Sequence, residues 1–202
     1  APVPLHSHVV TSLALAQAVD SGVGGAFGEE FIHSACLGET RLTWAWEERL
    51  PNMGPDAVSL RATPDGNGWL LNGSKRMVEA FEISDYCLLA VRTDPTKQAR
   101  EGLSLLLVRP DAEGISSRLQ RTLAGDGHSI VQFDNVHVDG EALVGIVDEG
   151  WDLAQPMLER AMVLNCAMIV GATRRAAERA FDYAKQRIAF GHPIGSFQAI
   201  QH

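Results

Sequence analysis

The stretch RIAFGHPIGSFQAIQH, residues 187–202, contains the most specific pattern in the chain and is the best guide to its fold. Arg187 and Gln198 carry planar groups with several hydrogen-bond donors, and Phe190 supplies a flat apolar surface beside them. Donors of this kind suit a pyrophosphate or a ribose. The structural alternative is an arginine ion pair at a helix end with a core phenylalanine and a surface glutamine. The stretch ends without a helix cap, so we expect the sequence to continue in a longer chain.

The residues before this stretch predict long helices. Apolar side chains recur every three or four residues from Leu153 to Ala172, and small residues continue the stripe from Ala176 towards Ile188. Alanine-rich faces allow helices to approach closely. We therefore predict the start of a helical bundle over residues 148–202.

Residues 49–147 have a different texture, with short β-rich runs separated by Gly, Pro and Asp clusters. The runs are AVSLRAT, WLLNGSKRMV, DYCLLAVRT, GLSLLLVR, ISSRL and IVQFDNVHV. Helical patterns are missing between them, which favours an antiparallel barrel or sandwich over a parallel α/β sheet.

Residues 1–48 carry two helical patterns, HSHVVTSLALAQAVDSG and EEFIHSACLGETRLTWAWEE, on either side of GVGGAFG. These glycines are spaced GxGxxxG and follow a helix, so we interpret them as an interhelical turn and not as a nucleotide-binding loop. The predicted fold class is α+β and multidomain: a helical segment (1–48), a central antiparallel β-barrel or sandwich domain (49–147) and a C-terminal helical-bundle segment (148–202).

Composition and charge exclude several classes of partner. The chain has 202 residues, 46% of them apolar, and a formal net charge of −8. No basic run is longer than the Arg174–Arg175 pair, which predicts no binding to nucleic acid or to an anionic membrane. The most apolar stretch, residues 161–172, contains Asn165 and is shorter than the ~20 residues that span a bilayer. We predict a buried helix there.

The cysteines and the start of the chain predict a cytoplasmic protein. Cys36, Cys87 and Cys166 are odd in number, far apart and set among apolar neighbours, as expected of buried thiols in a reducing compartment. The first ten residues, APVPLHSHVV, lack the basic and apolar regions of a secretion signal.

Metal and hydrolase chemistry are not indicated. The seven histidines show no HxxxH or HExxH spacing, and the chain has no GxSxG elbow. Asp126 and His128 lie in a turn before a strand; they either face a ligand or simply stabilise the turn.

Five stretches resemble the acyl-CoA dehydrogenase family, and the resemblance covers nearly the whole chain from about Gly22. They are GETRLTWAWEE (38–48), DGNGWLLNGSK (65–75), QFDNVHV (132–138), LERAMVLNCAMIVGA (158–172) and, most specific, RxxFGxPIxxFQxxQ (187–201). The resemblance implies an N-terminal helical domain, a central β domain and a C-terminal four-helix domain that act on acyl-CoA thioesters with FAD. It also implies that Arg187, Phe190 and Gln198 grip the adenylate half of an FAD that is bound mainly by a neighbouring subunit.

The flavin-side motifs depart from the family pattern. The resemblance places Trp46, Met77 and Val78 beside the flavin. Pro55 replaces a residue with a hydroxyl and a backbone N–H, and Glu79 places a carboxylate where a neutral hydroxyl is usual. A negative charge there opposes the formation of an anionic reduced flavin. The Trp44 and Trp46 rings either wall a cofactor pocket or plug an interdomain core.

The family resemblance also implies a catalytic base, for which Glu159 is the candidate in this sequence. A minority of family members carry the carboxylate that removes the α-proton early in the C-terminal domain, near this position; in most it lies later. As a base, Glu159 needs burial that raises its pKa. The alternative is a solvated Glu–Arg pair on a helix.

Three functions are consistent with these patterns. The first is FAD-dependent α,β-dehydrogenation of an acyl-CoA by an oligomer of this chain, as in fatty acid β-oxidation. The second is a non-catalytic subunit of a hetero-oligomer that lends FAD contacts in trans through its C-terminal helices. The third is an acyl-CoA oxidase-like enzyme on the same fold.

Overall fold

The computed structural model describes residues 4–49, 53–97 and 100–202, and it contains four α-helices and ten strands. The helices are α1 (Leu5–Asp20), α2 (Glu29–Cys36), α3 (Trp151–Gln186) and α4 (Gln198–Gln201). The strands are β1 (Leu42–Ala45), β2 (Arg61–Asp65), β3 (Gly68–Glu79), β4 (Tyr86–Arg92), β5 (Leu103–Val108), β6 (Ile115–Arg121), β7 (Gly127–Val138), β8 (Leu143–Val144), β9 (Ile188–Ala189) and β10 (His192–Pro193).

Eight strands form one sheet in the order β6-β7-β3-β2-β4-β5-β8, with β1 added to β4. Most pairs are antiparallel, but β1 and β2 both pair with β4 in parallel, along the edge opposite β5. Strands β4 and β5 are buried on both faces, as their continuous apolar sequences predict. Buried apolar side chains from six strands form the core, among them Leu71, Leu89, Leu106 and Phe133.

The predicted barrel closure was wrong. Closure requires the first and last strands of the sheet to pair. In the described residues, β6 pairs only with β7, and β8 is two residues long and pairs only with β5. The sheet therefore stays open, although the α+β class and the order helix, sheet, helix are confirmed.

The second predicted helix was also wrong beyond Cys36. Gly38 adopts φ +75°, a left-handed conformation that ends a helix, and the chain then enters β1. Thr43 and Trp44 are residues that favour strands, and β1 gains its pairing from β4, far away in sequence. The helical period of EEFIHSAC does not extend into LTWA.

His8 joins the helical segment to the sheet. Its Nδ1 accepts a hydrogen bond from Leu42 N (3.1 Å), so the neutral ring carries its proton on Nε2 and donates it to Ala35 O (3.0 Å). One side chain of α1 thereby contacts the end of α2 and the start of β1.

The chain divides into two compact units, residues 1–161 and residues 162–202. Helix α3 begins in the first and continues into the second, which ends with the small β9–β10 hairpin and α4. Among the residues that the structure describes, no helix combines the length and the apolar character needed to cross a bilayer.

Candidate functional site

Phe190 lies in the tight turn between β9 and β10. Phe190 and Gly191 have φ of +54° and +85°, the conformation of a two-residue type I′ turn, and Ala189 pairs with His192. Glycine is ordinary at the second position, but a bulky side chain in the left-handed region is uncommon. The turn presents the Phe190 ring to solvent (94% exposed). Its centroid lies 6.3 Å from that of Phe197, in an edge-to-face arrangement.

Arg187 and Gln198 are held by their backbones while their side chains remain exposed. Arg187 N donates to Tyr183 O at the end of α3, and Arg187 O accepts from Ile194 N, each at 2.8 Å. Gln198 is the first residue of α4. In the described residues neither side chain makes a hydrogen bond or an ion pair, and Phe190 is not a core residue. Of the structural alternative, the described residues show the surface glutamine but neither the arginine ion pair nor the core phenylalanine.

The flavin-side residues lie together where the end of β1 meets β3. Between Lys75 and Val78 the register of β3 against β7 shifts, so that Arg76 and Met77 form a bulge. Arg76 N donates to Glu47 O at 2.8 Å, which fixes the bulge against the residues that follow β1. Met77 adopts φ +52° and is 43% exposed.

Trp46 and Val78 are buried. Trp46 is only 3% exposed, its ring lies 5.9 Å from that of Trp151, and its indole N–H is covered without a hydrogen-bond partner in the described residues. Val78 belongs to the sheet core. Of the three side chains that the sequence places beside a flavin, Met77 alone is open to a ligand, and Trp46 packs as an internal plug.

Glu79 has partners within the protein. Its carboxylate accepts a short hydrogen bond from the Ser7 hydroxyl on α1, and its carbonyl accepts one from Thr43 Oγ1 (2.6 Å). The carboxylate is thereby used to attach α1 to β3.

A buried ion pair, Lys75–Glu48, lies beneath the bulge and was not foreseen from the sequence. Lys75 Nζ donates to Glu48 Oε1 at 2.8 Å and to Trp46 O at 3.1 Å. Burial lowers the pKa of Lys75, opposed by the charge of Glu48. Burial alone would raise the pKa of Glu48, but Lys75 and the hydrogen bonds to the carboxylate lower it. A lysine at an inward position of a strand was the only signal in the sequence.

Glu159 lies on the exposed side of α3. Its Oε1 accepts from Gln155 Nε2 (3.0 Å), and Gln155 Oε1 accepts from Trp151 Nε1 (3.1 Å), one helical turn apart each time. The described residues do not provide the burial that a catalytic base requires at this position.

Asp126 and His128 form a local pair at the start of β7. Asp126 Oδ1 lies 3.2 Å from His128 Nδ1 and also accepts a short hydrogen bond from the Thr122 hydroxyl. The Thr122 bond is the main cause of the lowered pKa of Asp126, and His128 adds to it. These contacts stabilise the turn.

Comparison with known proteins decides the family. The sequence profile of the acyl-CoA dehydrogenase middle domain matches residues 48–136, and that of the acyl-CoA dehydrogenase C-terminal domain matches residues 148–202. The chain belongs to the acyl-CoA dehydrogenase family. The resemblance seen in the closing stretch is therefore confirmed.

Relatives in this family cover most of the chain. An acyl-CoA dehydrogenase of Bacillus subtilis is 35% identical over 74% of this chain and 41% of its own length. Acyl-CoA dehydrogenase AFT10-1 of Alternaria alternata is 31% identical over 85% and 40%, respectively. A 3-(aryl)acrylate reductase of Clostridium sporogenes is 30% identical over 86% and 46%. The chain thus spans less than half the length of these relatives.

Solved acyl-CoA dehydrogenase structures share the fold. The glutaryl-coenzyme A dehydrogenase–glutaryl-CoA complex superposes with a TM-score of 0.87 at 24% identity, over 98% of this chain and 50% of that one. The ChsE4–ChsE5 complex of Mycobacterium tuberculosis gives 0.81 at 25% identity, over 100% and 50%. The fold of the chain is therefore shared with these solved structures.

Proposed function

We propose that this chain is part of an FAD-dependent enzyme that carries out the α,β-dehydrogenation of an acyl-CoA thioester. The observation that carries the proposal is the hairpin of residues 187–198, which displays a free guanidinium, a free carboxamide and an exposed aromatic ring. Planar donors bind phosphate groups and an aromatic ring packs on a flat ligand, so these three groups suit a nucleotide.

The hairpin fits the nucleotide part of FAD. Arg187 would bind the pyrophosphate by charge and paired N–H donors, Gln198 would donate to a phosphate or ribose oxygen, and Phe190 would cover an aromatic or sugar face. On the flavin side, the bulge at Arg76–Met77 is the fitting element, because Met77 is open and Trp46 is not. When bound, FAD supplies the acceptor for the hydride that leaves the β-carbon.

Glu159 is the group of this chain that we propose to take the α-proton. In the described residues it is exposed and hydrogen bonded to Gln155, so the role requires other segments or subunits to cover it. Replacement by glutamine would keep the contact with Gln155 and remove the base. Turnover should then be lost while flavin binding is retained.

A second candidate function is supported by the burial of Trp46 and Val78. A subunit whose flavin wall is closed by its own side chains would still lend Arg187, Phe190 and Gln198 to an FAD held by another subunit. Exposed apolar side chains of the second unit would form the contact in a homo- or hetero-oligomer; they are Met162, Val163, Met168, Ile169, Val170 and Phe181. The ChsE4–ChsE5 structure is itself a complex of two proteins. Cys87 is buried as predicted, but Cys36 and Cys166 are exposed, so the prediction of buried thiols was wrong for those two. All three thiols are free, which supports a cytoplasmic location.

The test is the visible spectrum of the full-length protein after incubation with FAD and desalting. Retained flavin that bleaches on addition of an acyl-CoA would support the first candidate. Because one relative is named a reductase, an enoyl-CoA with reduced flavin should be tested as well. A folded protein that retains no flavin, but restores it to a partner subunit, would support the second.

Arg187→Ala is the diagnostic variant, with Arg179→Ala as the matched control because both arginines are exposed in the same unit. Loss of FAD in the Arg187 variant alone supports the nucleotide role of the hairpin. Equal flavin content in both variants and in wild type would contradict it.

A further inference from the structure

Lys75 is fully buried in the middle of β3, which is rare for lysine. Two of its three N–H donors are used, one on Glu48 Oε1 and one on Trp46 O. The side chain therefore reaches across from β3 to the residues that follow β1. It binds both a carboxylate and a backbone carbonyl there.

Glu48 collects donors from a second segment. Its Oε1 also accepts from Ser59 N and Leu60 N, each at 2.9 Å, and its Oε2 accepts a short bond from the Ser59 hydroxyl. The Lys75–Glu48 pair thus joins three pieces of chain: β3, the end of β1 and the residues before β2. In the described residues, every hydrogen bond of the Glu48 carboxylate is with one of these pieces.

Stability alone gives a weak reason for such a pair. Replacing a buried ion pair with uncharged residues of similar size is often neutral or stabilising, because taking two charges out of water is costly. A role in fixing the backbone geometry is a stronger explanation for the pair, because Lys75 binds a backbone carbonyl as well as the carboxylate. Trp46 O accepts a hydrogen bond from Lys75 Nζ, and Glu47 O accepts one from Arg76 N. Two consecutive carbonyl groups are thus bound by two consecutive residues of β3.

The bulge needs support of this kind. Met77 has φ +52°, a left-handed conformation that costs a side-chain-bearing residue free energy and persists where its surroundings hold it. Arg76 and Met77 have left the register with β7, so the ladder does not hold them as it holds their neighbours. Glu47 O supplies one contact in place of the ladder, the hydrogen bond from Arg76 N.

We propose that Lys75 and Glu48 are positioning residues that hold the Arg76–Met77 bulge and the Trp46–Glu47 backbone in the geometry of a flavin-binding wall. The inference rests on the proposed function and deepens it. Both residues are buried, so they would support the wall from behind and not touch a ligand. Lys75 acts through Trp46 and Arg76, and Glu48 acts through Lys75.

The experiment compares two double variants of the full-length protein. Lys75→Met with Glu48→Gln removes the buried pair without leaving a lone charge. Arg41→Gln with Asp85→Asn removes the exposed pair at the other end of β1, where Arg41 Nη2 lies 2.9 Å from Asp85 Oδ1. Val91→Ala, a cavity in the sheet core, serves as a third variant that loses stability without touching either pair. Cooperative unfolding of each variant is checked first.

The readouts are the dissociation constant for FAD, the visible spectrum of the bound flavin and the hydrogen exchange of the Arg76 amide. We expect the Lys75/Glu48 variant to bind FAD about tenfold more weakly, as removal of supporting contacts does at other sites, with a shifted flavin band and faster Arg76 exchange. The Arg41/Asp85 and Val91 variants should match wild type in all three.

The outcomes distinguish the positioning role of Lys75 and Glu48 from the proposed function. Wild-type FAD affinity and spectrum in a folded Lys75/Glu48 variant would overturn the positioning role and leave the proposed function intact. If the Val91 variant loses as much FAD affinity, general destabilisation explains the effect and the positioning role is overturned as well. If the Lys75/Glu48 variant does not fold, Glu48→Gln alone, which keeps an oxygen acceptor for Lys75 Nζ, is assayed for Arg76 exchange at low denaturant, where unchanged exchange also overturns the positioning role. Absence of FAD binding in wild type would refute the positioning role together with the first candidate function.

Discussion

Replacing Phe190 should separate the stability of the closing hairpin from its ligand binding. At φ +54° a phenylalanine costs roughly 1–2 kcal/mol relative to a residue that accepts the left-handed region. Asparagine is favoured at the first position of a type I′ turn. The ring is 94% exposed, so its removal sacrifices little burial, and the edge contact with Phe197 is worth about 1 kcal/mol at most in a position so open.

We therefore expect Phe190→Asn to leave the free energy of unfolding unchanged or to raise it by up to about 1 kcal/mol. If Phe190 covers an aromatic or sugar face of FAD, loss of the ring should weaken FAD binding by about 1–3 kcal/mol, roughly tenfold to a hundredfold. Unfolding is measured in urea on flavin-free protein, because bound FAD would itself add stability.

Gly191→Ala is the matched control for Phe190→Asn. Gly191 has φ +85° and no atom within 4 Å of an added Cβ, so the substitution adds backbone strain of about 1 kcal/mol without a clash and keeps the ring. The two variants should show opposite patterns, one weaker in FAD binding and the other weaker in stability. A Phe190→Asn protein with reduced stability and unchanged FAD affinity would refute the reasoning, because it would make Phe190 a structural residue.

Three further predictions concern the sheet domain. Gly68→Ala should lower the free energy of unfolding by about 1–3 kcal/mol in urea, because the new Cβ would lie 2.1 Å from Val138 O; retained stability would show that β3 and β7 can separate there. Because Lys75 lowers the pKa of Glu48 in the folded state, the pair contributes stability above the ordinary carboxyl pKa and loses it as the pH falls through the folded pKa. The acid-induced loss of stability should therefore be smaller in Glu48→Gln with Lys75→Met, and an identical pH profile would contradict this. Burial raises the pKa of Cys87, so a thiol reagent should label Cys36 in the native protein but Cys87 only after unfolding; native labelling of Cys87 would contradict the burial.

Local sequence patterns predicted the long helices and strands of this fold. They failed where the structure of a segment depends on residues far away in sequence. The period of α1 and α3 and the continuous apolar runs of β4 and β5 were enough to place those elements. Strand β1 was missed because its pairing partner, β4, is far away in sequence; Gly38, which ends α2, was the local signal that the helix stops. The barrel was one of two arrangements predicted from short β-rich runs without helices between them, and such runs do not show whether the edge strands pair.

The candidate site divides in the same way. The residues Arg187, Phe190 and Gln198 were found from a contiguous motif, although a Phe-Gly pair is not a usual signal for a type I′ turn. Trp46 was placed beside a flavin by resemblance, but its burial depends on Trp151, which follows the whole sheet in sequence. The Lys75–Glu48 pair was missed because the bulge shifts the alternation of β3, so that an inward lysine does not stand out.

The pairing of β1 with β4 also affects how the protein folds during its synthesis. As the chain leaves the ribosome, Leu42–Ala45 emerges before β2 and β3, yet the strand that completes it is synthesised after both. Until then its backbone N–H and C=O groups are open to other chains. We expect nascent or truncated chains that stop before Tyr86 to depend on chaperones, and shortened versions for expression to succeed only when β1 and β4 are kept together.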